Sequence, residues 1–221
     1  SIGSSVFSYC SSLTSITIGN SVTSIGNYAF CDCSSLTSVV IGDGVEMIGA
    51  NAFRDCTSLT IAPELPATAL AKSCYEYMFY GCSGLTTAPE LPVTTLAERA
   101  YYGMFYNCTG LSAAPELPST TLAEYCYYYM FRGCTGLTTV PVLPAATLVK
   151  SCYGNMFYGC TSLTELTLPG SLVMISPEFA YNCTALTELA IPEGVERIDS
   201  YAFKNCTGLN VVSLPESLKK L

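Results

Sequence analysis

Residues 125–137 read YCYYYMFRGCTGL and place two thiols, four phenols and a guanidinium within thirteen residues. Side chains of these types serve as nucleophiles, metal ligands or aromatic contacts. The whole chain has thirteen cysteines and sixteen tyrosines but no histidine. Because histidine is the usual general base near neutral pH and the commonest metal ligand, Ser-His-Asp and Cys-His catalysis are excluded. We therefore ask whether these side chains form a site or fill a regular interior.

The cysteines follow a fixed period. Cys134 belongs to a series whose successive members lie 23 or 26 residues apart, and Ser or Thr follows each member. Leu stands three residues after each member, and Phe stands three residues before all but one. At that exception Phe179 and Ala180 exchange places, which conserves volume as a close-packed interior requires. We call these residues the landmark cysteines: Cys10, Cys33, Cys56, Cys82, Cys108, Cys134, Cys160, Cys183 and Cys206.

Three further cysteines stand eight residues before a landmark. Cys74, Cys126 and Cys152 occupy a column that holds Ile or Ala in the other units, so we expect buried packing rather than reactivity. Cys31 stands in a column of Ser, Arg, Tyr and Lys and is predicted to be the exposed thiol. The chain lacks a CxxC pair, so no metal or cofactor is expected. Thiols stacked in parallel lack the crossing geometry of a disulfide and are predicted to stay reduced.

Each repeat unit is predicted to contain a strand and a short helix. Segments 36–41 (LTSVVI), 163–168 (LTELTL) and 186–191 (LTELAI) alternate apolar and polar residues, as strands with one buried face do. In the four longer units, apolar residues recur at i, i+4 and i+8, which predicts one face of a helix of two to three turns. The stripes are Leu70-Cys74-Met78, Leu96-Ala100-Met104, Leu122-Cys126-Met130 and Leu148-Cys152-Met156. Gly, Asn or Asp before eight of the nine landmarks suits a left-handed residue at the helix end.

A strand and a short helix repeated every 23 or 26 residues are typical of leucine-rich repeats. The predicted fold is α/β: a right-handed solenoid of about eight to nine coils, with a parallel sheet on one face and short helices or 3₁₀ turns on the other. Segments 25–42 and 198–215 resemble the BspA-like leucine-rich repeats, and 88–111 resembles a longer variant of them. The resemblance spans the whole chain and implies one domain over residues 1–221, which we expect to continue beyond both ends.

The resemblance also implies a function. It points to surface or secreted proteins, mostly of host-associated bacteria, which act in adhesion or bind other proteins, and it supplies no catalytic residues. We therefore expect a non-enzymatic protein-binding or adhesion module whose partner is a host or bacterial surface protein or glycoprotein. A carbohydrate-recognition region, or a structural spacer of a larger surface protein, is the alternative.

Charge narrows the partners further. The net charge is -8, with only nine Lys and Arg residues and no basic cluster, which disfavours nucleic acid and anionic membrane surfaces. No apolar run approaches the roughly 20 residues of a membrane span, so no direct insertion is expected. The first ten residues lack the basic start and apolar core of a signal peptide.

Tyrosines and glutamates are the candidate binding residues. One column, seven residues before the landmarks, holds small or polar residues in short units and is expected to border solvent; its tyrosines are Tyr75, Tyr101, Tyr127 and Tyr153. A second column, two residues before the landmarks, is interrupted by Arg132; its tyrosines are Tyr80, Tyr106, Tyr158 and Tyr181. The rings either shield the layer beneath them or form a binding surface for protein or sugar.

The repeated PELP stretches give a third candidate column, made of Glu64, Glu90 and Glu116. The prolines are expected to shape the corner that leaves the strand, and the glutamates could attract a basic partner. The outward strand positions, which include Thr17, Thr167, Pro89 and Pro141, form a flat and weakly charged face without aromatic residues.

Overall fold

The computed structural model describes residues 1–145 and 149–219, so Leu148 of the fourth predicted stripe lies outside the described residues. The described residues contain eight short strands and no helix. The strands are β1 (Ser15–Ile18), β2 (Ser24–Ile25), β3 (Ser38–Ile41), β4 (Met47–Ile48), β5 (Met174–Ile175), β6 (Glu188–Ala190), β7 (Arg197–Ile198) and β8 (Val211–Ser213).

Strands of neighbouring units pair in parallel. β1 pairs with β3, β2 with β4, β5 with β7 and β6 with β8, each between equivalent positions of successive units. The predicted strands at 36–41 and 186–191 are therefore confirmed by β3 and β6. The parallel pairing follows because each unit places the same alternating residues over those of its neighbour.

The middle of the sheet is interrupted. Between the outer pairs only isolated parallel bridges are present among the described residues, such as Ile61 with Thr87 and Ala113 with Thr139. The predicted strand at 163–168 is wrong, although its leucines still point inward and are buried. The neighbouring unit presents Pro141, which has no N–H to donate to a ladder. Pro141 and Pro89 are buried rather than outward-facing, so these two positions of the predicted strand face are also wrong.

The predicted helices are replaced by a ribbon of tight turns. Within it, alternate N–H groups donate in different directions. Glu76 and Met78 donate to carbonyls three residues back at 3.2 Å, whereas Tyr77 and Phe79 donate to carbonyls of the next unit at 2.8 and 3.0 Å. A helix directs every N–H along its own axis and cannot make bonds between units. The i, i+4, i+8 stripe thus reflects a period of four residues per repeat of the ribbon, not 3.6.

Left-handed residues set this four-residue period. The residue before every landmark cysteine has a positive φ, as does the residue four positions earlier; in one unit these are Gly81 (70°) and Tyr77 (51°). The left-handed residue predicted before the landmarks is therefore confirmed, but it belongs to the ribbon and does not end a helix. Repeated left-handed residues are incompatible with a helix, which needs negative φ throughout.

The interior is a stack of matching side chains. Phe79, Phe105, Phe131 and Phe157 lie over one another with ring centroids 5.8–5.9 Å apart and nearly parallel planes. Where the sequence exchanges Phe and Ala, Phe179 meets Phe157 edge-on at 83° and both exchanged residues stay buried. The prediction that the exchange conserves a packed interior is confirmed.

Candidate functional site

The landmark cysteines form a hydrogen-bonded row between units. In eight of them the thiol donates to the backbone carbonyl that lies three residues before the preceding landmark, with sulfur–oxygen distances of 3.0–3.3 Å. The same carbonyl also accepts the backbone N–H of its own landmark, for example Cys82 N–H to Phe79 at 3.1 Å. Cysteine therefore serves here as a small apolar side chain that still carries a donor.

These thiols are poor nucleophiles. Burial raises the pKa of Cys126 and Cys183 to about 12, and it also raises the pKa of Cys108. A thiolate, the reactive form, is thus scarce at neutral pH. The predicted burial of Cys74, Cys126 and Cys152 is confirmed, since each is at most 3% exposed.

The prediction that Cys31 is the exposed thiol is wrong. Cys31 is only 5% exposed and donates to Asp32 at 3.0 Å, and burial, then this hydrogen bond, raises its pKa to about 12. The equivalent positions of later units carry longer side chains. The positive charge of Arg54, in the next unit, opposes the rise in the pKa of Cys31 without cancelling it. Cys10 is the exposed one, and all thirteen thiols are free in the structure. Among the described residues no group of three or more Cys, Asp or Glu could hold a metal ion.

The inner tyrosine column does not border solvent. Tyr75, Tyr101, Tyr127 and Tyr153 are at most 4% exposed and stack on one another with centroids 5.8–5.9 Å apart. The expected solvent-facing position is therefore wrong, and none of these four rings can contact a partner on the surface of this structure. The rings shield the interior, which is the other interpretation that the sequence left open.

The outer tyrosine column does reach the surface. Its rings are half-buried and pack in pairs, Tyr80 on Tyr106 at 4.9 Å and Tyr158 on Tyr181 at 4.7 Å. Arg132 lies between the two pairs, with its guanidinium carbon 3.6 Å from the Tyr158 centroid and 5.6 Å from that of Tyr106. The arginine that interrupts the column in the sequence thus continues the stack in space.

Sequence reasoning missed a second row of rings beside this column. Tyr77 meets Tyr80 edge-on with centroids 5.8 Å apart, and Tyr129 meets Tyr106 edge-on at 5.9 Å. Gly103 stands between Tyr77 and Tyr129 in the column five residues before the landmarks, and its φ is +58°. A Cβ at Gly103 would collide with the Tyr77 ring, so the glycine leaves the space that this ring occupies. The signal was present in the sequence as a glycine between two tyrosines of one column, but only the left-handed backbone explains it.

Six residues from four successive units enclose an open cleft of about 370 Å³ on this face. We call it the Tyr–Arg cleft; it is lined by Arg54, Tyr77, Tyr80, Tyr106, Tyr129 and Arg132. Tyr and Arg are the residue types that concentrate binding energy in protein interfaces, since each joins a large apolar surface to hydrogen-bonding groups.

The two arginines of the cleft differ in their charge environment. Arg54 packs 4.3 Å from the Tyr80 centroid and donates its Nε–H to Asp55 at 3.0 Å. Arg132 donates its Nε–H to the Tyr106 hydroxyl at 3.0 Å and an Nη1–H to the Asn155 side-chain oxygen at 3.3 Å. Among the described residues no carboxylate lies within 4.0 Å of Arg132.

The glutamate column lies elsewhere. Glu64, Glu90 and Glu116 are exposed, and Glu90 and Glu116 line a depression of about 270 Å³ formed mainly by prolines. It shares no lining residue with the Tyr–Arg cleft. A third cavity of about 450 Å³ is lined by Val149 and by residues that follow it, next to a segment that the structure does not describe. We assign no site to this cavity.

The geometry defines a class of protein. Parallel strand segments, a leucine three residues after each landmark and turn segments stacked at intervals of 23 or 26 residues are the features of a leucine-rich-repeat protein. A family model described as a BspA type leucine rich repeat region matches residues 1–138 and 101–221, in six copies. The chain therefore belongs to this family.

Three solved structures are similar to this chain, and the first of them agrees on the fold. The pneumococcal vaccine antigen PcpA is 17% identical, with a TM-score of 0.53 over 95% of this chain and 57% of that chain. A leucine-rich repeat protein from Bacteroides ovatus is 23% identical over 99% of this chain and 78% of its own, with a TM-score of 0.37. A leucine rich cell surface protein from Faecalibacterium prausnitzii is also 23% identical, over 97% and 82%, with a TM-score of 0.36. No curated protein matches the chain.

Proposed function

We propose that this chain is a non-enzymatic protein-binding module, used in adhesion, that binds its partner through the Tyr–Arg cleft. The observation that carries the proposal is the assembly of four tyrosines and two arginines from successive units on one exposed face. Leucine-rich-repeat proteins typically mediate protein interactions and are generally non-enzymatic. The partner we propose is a host or bacterial surface protein or glycoprotein.

We also propose the overall architecture of the chain and its cellular location. We take residues 1–221 as one right-handed solenoid of about eight to nine coils, since inter-unit hydrogen bonds recur in every described unit. We place the protein at the cell surface or outside the cell, on the strength of the family. Among the described residues no helix has the length and hydrophobicity needed to cross a bilayer.

The packing of the rings favours a protein partner over a sugar. A sugar binds an aromatic residue best over an open ring face, but Tyr80 and Tyr106 cover each other's faces at 4.9 Å with planes 25° apart. Ring edges, hydroxyl groups and guanidinium donors remain available, and these suit polar and apolar groups of a protein surface.

Site-specific photocrosslinking tests the proposal. A benzoylphenylalanine replaces Tyr106 in the cleft in one variant and the exposed Thr17 of the strand face in the other. Each variant is incubated with purified host and bacterial surface proteins and irradiated. We expect crosslinked protein at position 106 and little at position 17, and we expect the double variant Tyr80→Ala/Tyr106→Ala to weaken binding at least about tenfold.

Three outcomes contradict the proposal. Crosslinking only at position 17 would move the binding surface to the strand face. Binding on a glycan array that is lost with Tyr80→Ala/Tyr106→Ala, without any protein partner, would establish the carbohydrate alternative. Absence of binding to both proteins and glycans, with a folded variant series, would leave the role of a structural spacer.

A further inference from the structure

Arg132 differs from the other arginines of the chain. Arg54, Arg99 and Arg197 each contact a carboxylate of the chain itself. Arg132 is instead enclosed by aromatic rings, those of Tyr158, Tyr129 and Tyr106, whose centroids lie 3.6, 5.1 and 5.6 Å from its guanidinium carbon. In a chain of net charge -8, the side chain is a half-buried cation without an anionic contact among the described residues.

The guanidinium also has unused donors. Of its five N–H groups, one is donated to the Tyr106 hydroxyl and one to the Asn155 side-chain oxygen. The remaining donors have no acceptor among the described residues, and their planar arrangement matches the two oxygens of a carboxylate. The rings around Arg132 displace water from it, which strengthens an ion pair relative to one on an open surface.

We propose that Arg132 is a carboxylate-binding site that takes an Asp or Glu side chain of the partner protein. This inference rests on the proposed function, since it names the chemistry that the partner brings to the Tyr–Arg cleft. The remaining donors of Arg132 bind the carboxylate oxygens, while the cleft tyrosines contact the aliphatic part of the acidic side chain and its flanking residues.

The charge balance favours a single carboxylate over a polyanion. The cleft holds two cations, but Asp55 contacts Arg54 at 3.0 Å and neutralises it, which leaves one uncompensated charge. A phosphate dianion, a sulfated glycan or a nucleic acid brings several negative charges, which the overall charge of -8 repels. One carboxylate on an otherwise neutral surface avoids this repulsion.

Arg197 supplies a control outside the cleft. Its guanidinium carries the same charge, does not line the Tyr–Arg cleft and already contacts Asp199 at 2.9 Å. Loss of Arg197 therefore removes the same formal charge without removing the proposed site or any residue of the cleft.

The experiment uses two synthetic peptides with blocked ends, Gly-Gly-Glu-Gly-Gly and its Gln counterpart, added to the 221-residue chain and followed by NMR of the arginine Nε–H and tyrosine ring signals. The Glu peptide is expected to shift the Arg132 signal in a saturable way, with a Kd of about 1 mM. The Gln peptide leaves that signal unchanged. Arg132→Gln is expected to weaken binding of the Glu peptide about tenfold to a hundredfold, and Arg197→Gln to change it less than about threefold. Arg132→Lys keeps the charge but loses the fork and is expected to lie between the two.

Several results would overturn the inference. These are equal binding of the Glu and Gln peptides, equal losses in the Arg132→Gln and Arg197→Gln variants, and a methyl glucuronoside or sulfate that binds at Arg132 at least about tenfold more tightly than the Glu peptide. Thermal unfolding of each variant checks that the fold is kept.

The two proposals fail in different ways. If the partner protein is lost with Tyr80→Ala/Tyr106→Ala but is retained by Arg132→Gln, the binding function stands and the carboxylate site is wrong. If the Glu peptide binds at Arg132 but no protein crosslinks at position 106, the local site stands and the proposed protein-binding function is wrong.

Discussion

The Sγ atom of Cys108 lies 3.0 Å from the carbonyl oxygen of Phe79 and donates a hydrogen bond to it across the boundary between two units. The carbonyl already accepts the N–H of Cys82 at 3.1 Å, so the thiol occupies its second lone-pair direction. Repeated along the landmark row, this contact fixes one unit over the next. The thiols therefore hold neighbouring units of the repeat together.

The first prediction concerns this contact. Cys108→Ala removes the donor and the sulfur volume and is expected to lower the free energy of unfolding by about 1–3 kcal/mol. Cys108→Ser keeps a donor for the Phe79 carbonyl and is expected to cost less. Urea unfolding measures both, with Cys10→Ala, at an exposed thiol, as a control expected to stay within about 0.5 kcal/mol. A Ser variant as unstable as the Ala variant would show that packing alone explains the row.

Thiol labelling gives the second prediction. The chain is purified under reducing conditions and treated, while folded, with a thiol reagent at pH 8. We expect Cys10 to react rapidly and the buried thiols to react only as the chain unfolds, because burial raises their pKa and blocks access of the reagent. In denaturant all thirteen cysteines are expected to react. Mass spectrometry of the labelled chain counts them. A denatured count well below thirteen would reveal disulfides, and rapid native labelling of Cys31 would contradict its burial.

The pH dependence of stability is the third prediction. Burial raises the pKa of Cys126 and Cys183 from 9.0 to about 12, so above pH 9 the unfolded chain releases protons that the folded chain keeps. The stabilisation is complete below pH 9 and is lost as pH rises towards 12. Each such thiol lowers the free energy of unfolding by about 1.4 kcal/mol per pH unit in this window.

Urea unfolding between pH 8 and 10.5 measures this slope. Cys126→Ala is the matched variant, because the equivalent position of another unit is Ala100. Its slope above pH 9 is expected to be shallower than that of the parent chain by the contribution of one thiol. An unchanged slope would mean that Cys126 titrates alike in both states.

How far the sequence determines the structure depends on whether a pattern has one structural meaning. Alternation in LTSVVI correctly predicted β3, since a period of two has only one common explanation. The same alternation at 163–168 failed because the neighbouring unit presents Pro141 and forms no strand beside it, which the local pattern does not report. The apolar i, i+4, i+8 stripe fits both a helix and a four-residue turn ribbon. Only the left-handed φ of residues such as Tyr77 decides between them.

The candidate site was predictable only in part. The column of Tyr80, Tyr106 and Tyr158 reaches the surface, in agreement with one interpretation of the sequence. The column of Tyr101 does not, because its rings stack on one another in the interior, at a position where short units carry small residues such as Gly26 and Gly49. The position of Arg132 between the two tyrosine pairs was not predictable, because in the sequence this residue only interrupts the column.

Gly103 gives the fourth prediction. Its φ is +58° and a Cβ there would collide with the Tyr77 ring, so Gly103→Ala is expected to lower the free energy of unfolding by about 1–3 kcal/mol and to displace a ring of the Tyr–Arg cleft. Gly170→Ala is the control, since nothing lies within 4 Å of a Cβ at that position. Thermal unfolding and the Tyr77 ring signals in NMR measure the two effects. Equal stability of both variants would contradict the described backbone.

The inner tyrosines give the fifth prediction. Tyr127 is 1% exposed and stacks between Tyr101 and Tyr153, and its hydroxyl has no hydrogen-bond partner at normal distance. Tyr127→Phe is therefore expected to be neutral or to stabilise the fold by up to about 1 kcal/mol, because it removes a buried unpaired hydroxyl. Tyr127→Ala leaves a ring-sized cavity and is expected to cost about 3–5 kcal/mol.

Partner binding separates the two tyrosine columns in the same experiment. Tyr127→Phe is expected to bind the partner protein as the parent chain does, whereas Tyr106→Phe removes the hydroxyl that accepts the Arg132 Nε–H and is expected to weaken binding about threefold to tenfold. Because both changes delete a single hydroxyl, a difference in binding between the two variants shows which tyrosine column contacts the partner. A larger binding loss for Tyr127→Phe than for Tyr106→Phe would mean that the inner column is the recognition surface.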